Sequence, residues 1–332
     1  MNDKKTFISI EEYDKDQRSR GSKIVSIATR HGLLIAFILV VIVFSSLSPY
    51  FFTTANFLNI ALALSITLML ASGETVALVT GLPDMSVAST LAFSGVVTAL
   101  LMANNVHFLL AIIIAIITGA GIGFINGIVT SKLKVNALIT TLGTLATFRG
   151  LSFIISGGKS ISISNPTFES LGRGRMLGIP IPFIIVISMC IIIYLVMNFT
   201  VFGRRIKSVG GNSNISQLFG INVDRIKITA FVISGVTAAI GGVIMAAKIK
   251  AGSPIAGTGM ELAVITAAIL GGTSLSGGVG NIWGTVLGVA FLSFLGNGFT
   301  LTYVSSYMQE TVRGIVLIGA VALDVFRSER KN

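Results

Sequence analysis

An all-α, polytopic membrane protein of about ten transmembrane helices, some of them broken or re-entrant, is the architecture this chain predicts. Three observations carry that reading. The 332 residues are 53% hydrophobic and only 11% charged, with a mean hydropathy of +0.89, whereas a soluble domain carries roughly 25% charged residues. Apolar runs near the ~20 residues that cross a bilayer recur along the chain. Several of the polar turns between them are basic, the pattern that holds short loops in the cytosol. The net charge of +11 gathers at the ends of apolar runs, so it reads as topology charge, and no nucleic-acid partner is expected. The only cysteine, Cys190, lies inside an apolar run, which leaves no disulfide and no cysteine-based metal site. His31 and His107 flank spans; neither is placed as a ligand or a base, and no metal site is expected.

The elements follow in order. Residues 1–31 are polar, with seven basic and five acidic side chains and no apolar signal-peptide core, and are expected to form a cytosolic tail. The first span is Gly32 to Ser48, with an outer turn over Pro49 to Asn56. The second starts near Phe57 and passes Gly73 and Glu74 to reach Thr80. Gly81 and Pro83 in GLPDMSVAS (Gly81 to Ser89) then break the helix, because both residues are poor in helix interiors. A third span covers Val87 to Asn104, and a fourth covers Phe108 to Thr130. The fourth carries Gly119, Gly121, Gly123 and Gly127, small residues that let helix backbones approach closely in lipid.

SKLKVN (Ser131 to Asn136) is a basic inner turn before the fifth span, Ala137 to Ile155. Ser156 to Ile179 reads as a long external loop, and the sixth span is Ile181 to Thr200. The seventh is Ile228 to Ala247, the eighth the short Met260 to Leu270, the ninth Ile282 to Leu295 and the tenth Thr311 to Phe326. The basic tail 327–332 and the N-terminal tail are both expected in the cytosol.

Between the sixth and seventh spans stands VFGRRIKSVGGNSNISQLFGINVDRIK, Val201 to Lys227. Arg204, Arg205, Lys207, Arg225 and Lys227 face a single acid, Asp224, which places the stretch inside. Asn212, Ser213, Asn214 and Ser216 are suited to cap a short helix, SNISQLFG, that stops at Gly220. A surface helix between basic clusters docks into another protein or lies on lipid headgroups.

Charges at membrane depth are costly and mark cavities or pairs; Glu74, Asp84 and Arg149 are the three of interest. Glu261, Glu310, Arg313 and Asp324 stand at span ends, and Glu310 and Arg313 have the i,i+3 spacing of a helical pair. GLPDMS (Gly81 to Ser86) echoes GGTSLS (Gly271 to Ser276): either paired broken helices of a transporter, or a chance recurrence of Gly/Ser turns. The chain offers Gly158-Lys159-Ser160, but Phe153 stands where a phosphate loop needs its first glycine. With no nucleotide site and no catalytic constellation, an enzyme is not expected.

GRRIKSVGGNSNISQLFGINVDRIKI, GTGMELAVITAAILGGTSLSGGVGNIWGTVLG, QETVRGIVLIGAVALDVF and TLGTLATFRGL (Thr141 to Leu151) resemble the ribose-type sugar ABC-transporter permeases, over roughly residues 35 to 328. The resemblance implies one permease domain over 32–326, in the inner membrane of a bacterium. It implies three kinds of protein partner: cytosolic ABC ATPase subunits, a periplasmic or lipoprotein sugar-binding protein, and a second permease chain. The chain itself would hold no cofactor, with ATP and Mg on the ATPase. The family's coupling segment falls on Gly203 to Asn222, with Gly203, Arg204, Arg205, Gly210, Gly211, Asn212, Ile215, Leu218, Gly220 and Asn222 as its contacts. Ser213, Asn214, Ile215 and Ser216 stand where the family commonly has acidic residues and alanines, and Leu82 and Ala88 replace glycines of a GIDLSVGS-like segment. Glu74, Asp84, Ser86, Thr141, Arg149, Gly271 and Ser274 are the expected substrate-path residues. Two other readings stay open: an ion-coupled secondary transporter using Glu74 or Asp84, and an ABC permease for a furanone signal, nucleoside or branched-chain amino acid.

Overall fold

The structure, a computed structural model, describes residues 32–329. The expected tail 1–31, with His31, and the last three residues of the tail 327–332 lie outside the described residues. Within them the chain forms helices α1 (Gly32–Leu47), α2 (Thr54–Val79), α3 (Val87–Ala103), α4 (Phe108–Ser131) and α5 (Ala137–Ser156). The long connection after α5 holds β1 (Ile161–Ser162), α6 (Pro166–Arg173), β2 (Arg175–Met176) and β3 (Ile179–Pro180). Then come α7 (Ile181–Phe199), α8 (Val201–Gly211), α9 (Ser213–Leu218), α10 (Val223–Ile249), β4 (Ala251–Gly252), α11 (Met260–Leu270), α12 (Ile282–Leu301) and α13 (Ser306–Glu329).

A helix stands at each of the ten places where a span is expected. Among the described residues, α2, α4, α5, α7, α10 and α12 are long and apolar enough to cross a membrane, and α1, α3 and α11 are shorter apolar helices. The molecule is a polytopic helical membrane protein.

The bundle is built around α2 and α10. α10 packs on α2, α3 and α4, and α2 also meets α7, α11 and α12. Leu68, Met69 and Leu70 of α2 are fully buried, as expected of a helix that is apolar all round. The perimeter shows the opposite pattern: Leu109, Ile113, Ile117 and Phe124 of α4, and Ile191, Ile192 and Leu195 of α7, stand exposed. Apolar faces of that extent require lipid or protein cover.

The seam between α4 and α10 is made of glycine. A Cβ on Gly119 would stand 2.5 Å from both the Ala239 Cβ and the Gly235 carbonyl oxygen. One on Gly123 would strike the Phe231 carbonyl oxygen, and one on Gly127 would come within 2.6 Å of the Ile228 Cα. Gly121, on the other face of α4, meets nothing. Three of the four glycines thus set how closely the helices approach.

Some boundaries differ from the expectations, each for a physical reason. The external stretch after α5 is not all loop: Asn165 caps α6 by accepting the Phe168 N–H, Pro166 occupies the first turn, and Phe168 is buried. β1 pairs antiparallel with β4 (Ile161 opposite Gly252) and β2 with β3 (Arg175 opposite Pro180). The polar stretch before α10 holds a second helix, α8, because Gly203, Ile206 and Val209 bury one face of it. α12 continues past the expected end at Leu295 through Gly-Asn-Gly. There Asn297 and Asn56 exchange amide hydrogen bonds at 2.9 Å, and Gly298 lies under the Phe44 ring.

The seam makes a prediction. Gly123→Ala forces α10 away and lowers the thermal unfolding temperature of the detergent-purified protein, with a cost of about 1–3 kcal/mol expected for overpacking. Gly121→Ala leaves it unchanged or raises it. Equal behaviour of the two variants in a melting assay would rule the seam out as the cause.

Candidate functional site

Where α2 ends, the chain loses its helical partners in the middle of protein. Gly81 (φ +76°) turns it, and α3 does not begin until Val87. Side chains replace the missing backbone acceptors. The Asp84 N–H donates to Glu74 Oε1 at 3.0 Å. The Ser86 N–H (3.0 Å) and Ser86 hydroxyl (2.5 Å) both donate to Asp84 Oδ1. The Ser234 hydroxyl of α10 donates to Asp84 Oδ2 at 2.9 Å. From Ser86 the chain of bonds continues: Asn126 Nδ2 of α4 donates to the Ser86 hydroxyl at 2.9 Å, and the Thr144 hydroxyl of α5 donates to Asn126 Oδ1 at 2.6 Å. One connected network therefore joins five helices. Glu74 is 0% and Asp84 1% exposed. Among the described residues neither acid has an ion-pair partner, and Glu74 Oε2 has no hydrogen-bond partner.

The other expected path residues fall into three places. Thr141 is buried beside this network; its hydroxyl donates to the Ala137 carbonyl at 2.9 Å and approaches that of Pro83 at 3.4 Å. Arg149 stands apart, donating through Nη1 to the carbonyls of Pro254 (2.7 Å) and Ala256 (2.8 Å); it anchors the turn before α11. Gly271 and Ser274 belong to the second helix break. A Cβ on Gly271 would stand 2.5 Å from the Thr285 nitrogen, so α11 and α12 close tightly there. The Ser274 hydroxyl (3.2 Å) and Leu275 N–H (3.1 Å) donate to Asp324 Oδ2 of α13. Sequence reasoning missed Asn126, Thr144, Ser234 and this role of Asp324. A signal for the first three exists only in hindsight, as neutral polar residues inside apolar runs.

The expected coupling segment, Gly203 to Asn222, folds as most of α8, all of α9 and the turn into α10. Thr200 caps α8 through the Gly203 N–H, Asn212 caps α9 through the Ile215 N–H at 3.0 Å, and Asn222 caps α10 through the Arg225 N–H at 3.0 Å. The Ser208 and Ser216 hydroxyls bond at 2.8 Å and hold α9 against α8. Gly220 (φ +77°) ends the turn. Ile215, Leu218 (86% exposed) and Phe219 (83% exposed) project from it, with Arg204, Arg205 and Arg225 exposed nearby in sequence. A cavity of about 920 Å³ lies between α9, the first break and the α4–α5 turn; Pro83, Thr130, Lys134, Asn214, Gln217 and Lys227 are among its walls. A second, of about 810 Å³, opens between α2, α11, α12 and α13. Glu310 and Arg313 pair at its rim at 3.2 Å, as their spacing predicts. Glu74, Asp84 and Ser86 line neither cavity. Among the described residues, no three His, Cys, Asp or Glu side chains come together as metal ligands.

Asp84→Ala tests the network. It strands the Ser86 N–H, the Ser86 hydroxyl and the Ser234 hydroxyl in a dry interior, at about 1–3 kcal/mol for each group left unpaired. A drop in the melting temperature of the purified protein well beyond that of Ser234→Ala is expected; equal drops would show that the carboxylate is not the hub.

A family profile described as "branched-chain amino acid transport system / permease component" matches residues 56–321. The L-arabinose transport system permease protein of Escherichia coli is 38% identical over 303 residues, covering 91% of this chain and 92% of that protein. The ribose import permease protein of Escherichia coli is 38% identical over 295 residues (88% and 92%), and that of Bacillus subtilis is 39% identical over 290 residues (87% and 90%). No solved structure matches. A polytopic helical bundle, matched over 88–91% of its chain by sugar transport permeases, allows one conclusion: the chain belongs to the branched-chain amino acid transport system permease family, and within it to the ribose-type ABC-transporter permeases.

Proposed function

We propose that this protein is the membrane-spanning permease of a binding-protein-dependent ABC importer for a monosaccharide of the ribose or arabinose kind. The family profile carries an amino-acid name, but the full-length likeness to ribose and arabinose permeases favours a sugar. The single observation that carries the mechanism is the capped, apolar-tipped α9 between two basic clusters. Exposed Leu218 and Phe219 on a polar stretch suit a protein groove, and the basic residues favour the cytosolic side. In this reading α1, α2, α3, α4, α5, α7, α10, α11, α12 and α13 make ten crossings, both termini are cytosolic, and the chain sits in a bacterial inner membrane. Short α11 is completed by the break that follows it. A cytosolic ATPase carrying ATP and Mg grips α9 of each of two permease chains. Closure of the ATPase on ATP opens the path outward, an external binding protein releases sugar, and hydrolysis resets the path.

Leu218→Asp puts a charge into the covered groove. The variant stays in the membrane at normal level but no longer co-purifies with the ATPase, a loss of 2 kcal/mol or more, about thirtyfold, at a central interface contact. Retained association in a pull-down would remove α9 from that interface. The buried Glu74 Oε2, which has no hydrogen-bond partner among the described residues, favours an ion-coupled mechanism instead. Uptake in cells whose proton-motive force is collapsed while ATP is maintained separates the two: the ABC reading expects uptake to persist, and its abolition supports the ion-coupled one.

A further inference from the structure

Three backbone segments far apart in sequence meet, with no side chain between them, at the α9 end of the bundle. They are the exit of α2 (Val79 to Gly81), the last turn of α8 (Gly210) and the second helix break (Ser276 to Gly278). The Gly278 N–H donates to the Val79 carbonyl at 2.8 Å, so the two helix breaks share a hydrogen bond. Gly210 lies against that bond. A Cβ on it would strike the Val79 carbonyl oxygen and stand 2.5 Å from the Gly278 nitrogen. A Cβ on Gly277 would stand 2.8 Å from both the Gly210 carbonyl oxygen and the Gly81 nitrogen. A Cβ on Gly211, the next residue of α8, would meet nothing within 4 Å. The two motifs GLPDMS and GGTSLS also touch, since a Cβ on Gly81 would stand 3.3 Å from the Ser276 carbonyl oxygen, and the coupling segment rests on this joint.

We propose that Gly210 is a positioning residue for transport: it seats the coupling segment on the joint between the two helix breaks, so that displacement of α8 and α9 moves both breaks together. The proposal rests on the permease reading above. Backbone pressed on backbone has no rotamers to absorb a shift, and close-packed interiors transmit one. Each break leads onward to a different part of the bundle. The first carries Asp84 and Ser86, bonded to α10 and α4. The second carries Ser274 and Leu275, bonded to Asp324 of α13. A push at one surface helix therefore reaches both halves of the bundle through one contact.

The test uses the permease co-expressed with its ATPase and reconstituted in vesicles, comparing Gly210→Ala with Gly121→Ala. Both glycines are in helical conformation, so alanine is acceptable to the backbone, and of the two only Gly210 has a contact to disturb. Gly121→Ala keeps the wild-type amount of solute moved per ATP hydrolysed. Gly210→Ala assembles and hydrolyses ATP but moves about tenfold less solute per ATP, within the range of allosteric couplings. An unchanged ratio in Gly210→Ala, including a parallel fall of uptake and hydrolysis, overturns the proposal. If that variant does not accumulate, amide exchange on the wild-type complex decides, with and without a non-hydrolysable ATP analogue. Exchange over 80–86 and 271–281 changing together with 201–211 supports the seat; a change confined to 201–220 overturns it. Failure of the wild-type chain to associate with the ATPase is a different result, which sinks the permease reading itself.

Discussion

The carboxylate of Asp84 accepts three hydrogen bonds, from the Ser86 backbone, the Ser86 hydroxyl and Ser234. The chain can turn between α2 and α3 inside protein because of them. A buried amide that has lost its helical acceptor needs another group in its place. Between Val79 and Val87 those groups are Asp84 and Glu74, one taking the amide and hydroxyl of Ser86 and the other the amide of Asp84 itself. The same acid that permits the break also fastens it, through Ser234 to α10 and through Ser86 and Asn126 to α4 and α5. The second break is treated alike, with Asp324 taking the amide of Leu275. Both interruptions are thus pinned by a carboxylate and joined to each other by the Gly278–Val79 bond.

Much of this was legible residue by residue, and the remainder depended on proximity across the chain. Apolar runs placed every expected span on a helix, because in lipid a long apolar segment has few alternatives to the helix. Gly81 and Pro83 announced the first break, and Asn212 and Gly220 bracketed α9 as caps do. The Glu310–Arg313 pair followed from spacing alone. Asn126, Thr144 and Ser234 were not legible: each is a neutral polar residue within an apolar run, and its partner lies 18 to 150 positions away. Arg149 was visible as a costly charge, but that it holds the carbonyls of Pro254 and Ala256 was not, since carbonyls leave no mark in a sequence. The echo of the two breaks was visible as a similarity; their contact required the fold. α6 carries its own signal within the expected external loop, the cap and first-turn pair Asn165-Pro166. α12 overran its expected end because the Asn297–Asn56 pair outweighs the poor helix propensity of the flanking glycines.

The glycine seam of α4 and α10 has a thermodynamic consequence. In water, helices associate largely by withdrawing apolar surface from solvent, a drive that weakens on cooling and leaves a heat-capacity signature. Along Gly119, Gly123 and Gly127 the exchange is of lipid contacts for protein contacts, so no water is released and the attraction is dispersion between closely set backbones. The heart of this protein is therefore held by a force that does not fade in the cold, and that answers to how well the surrounding acyl chains pack rather than to the aqueous phase.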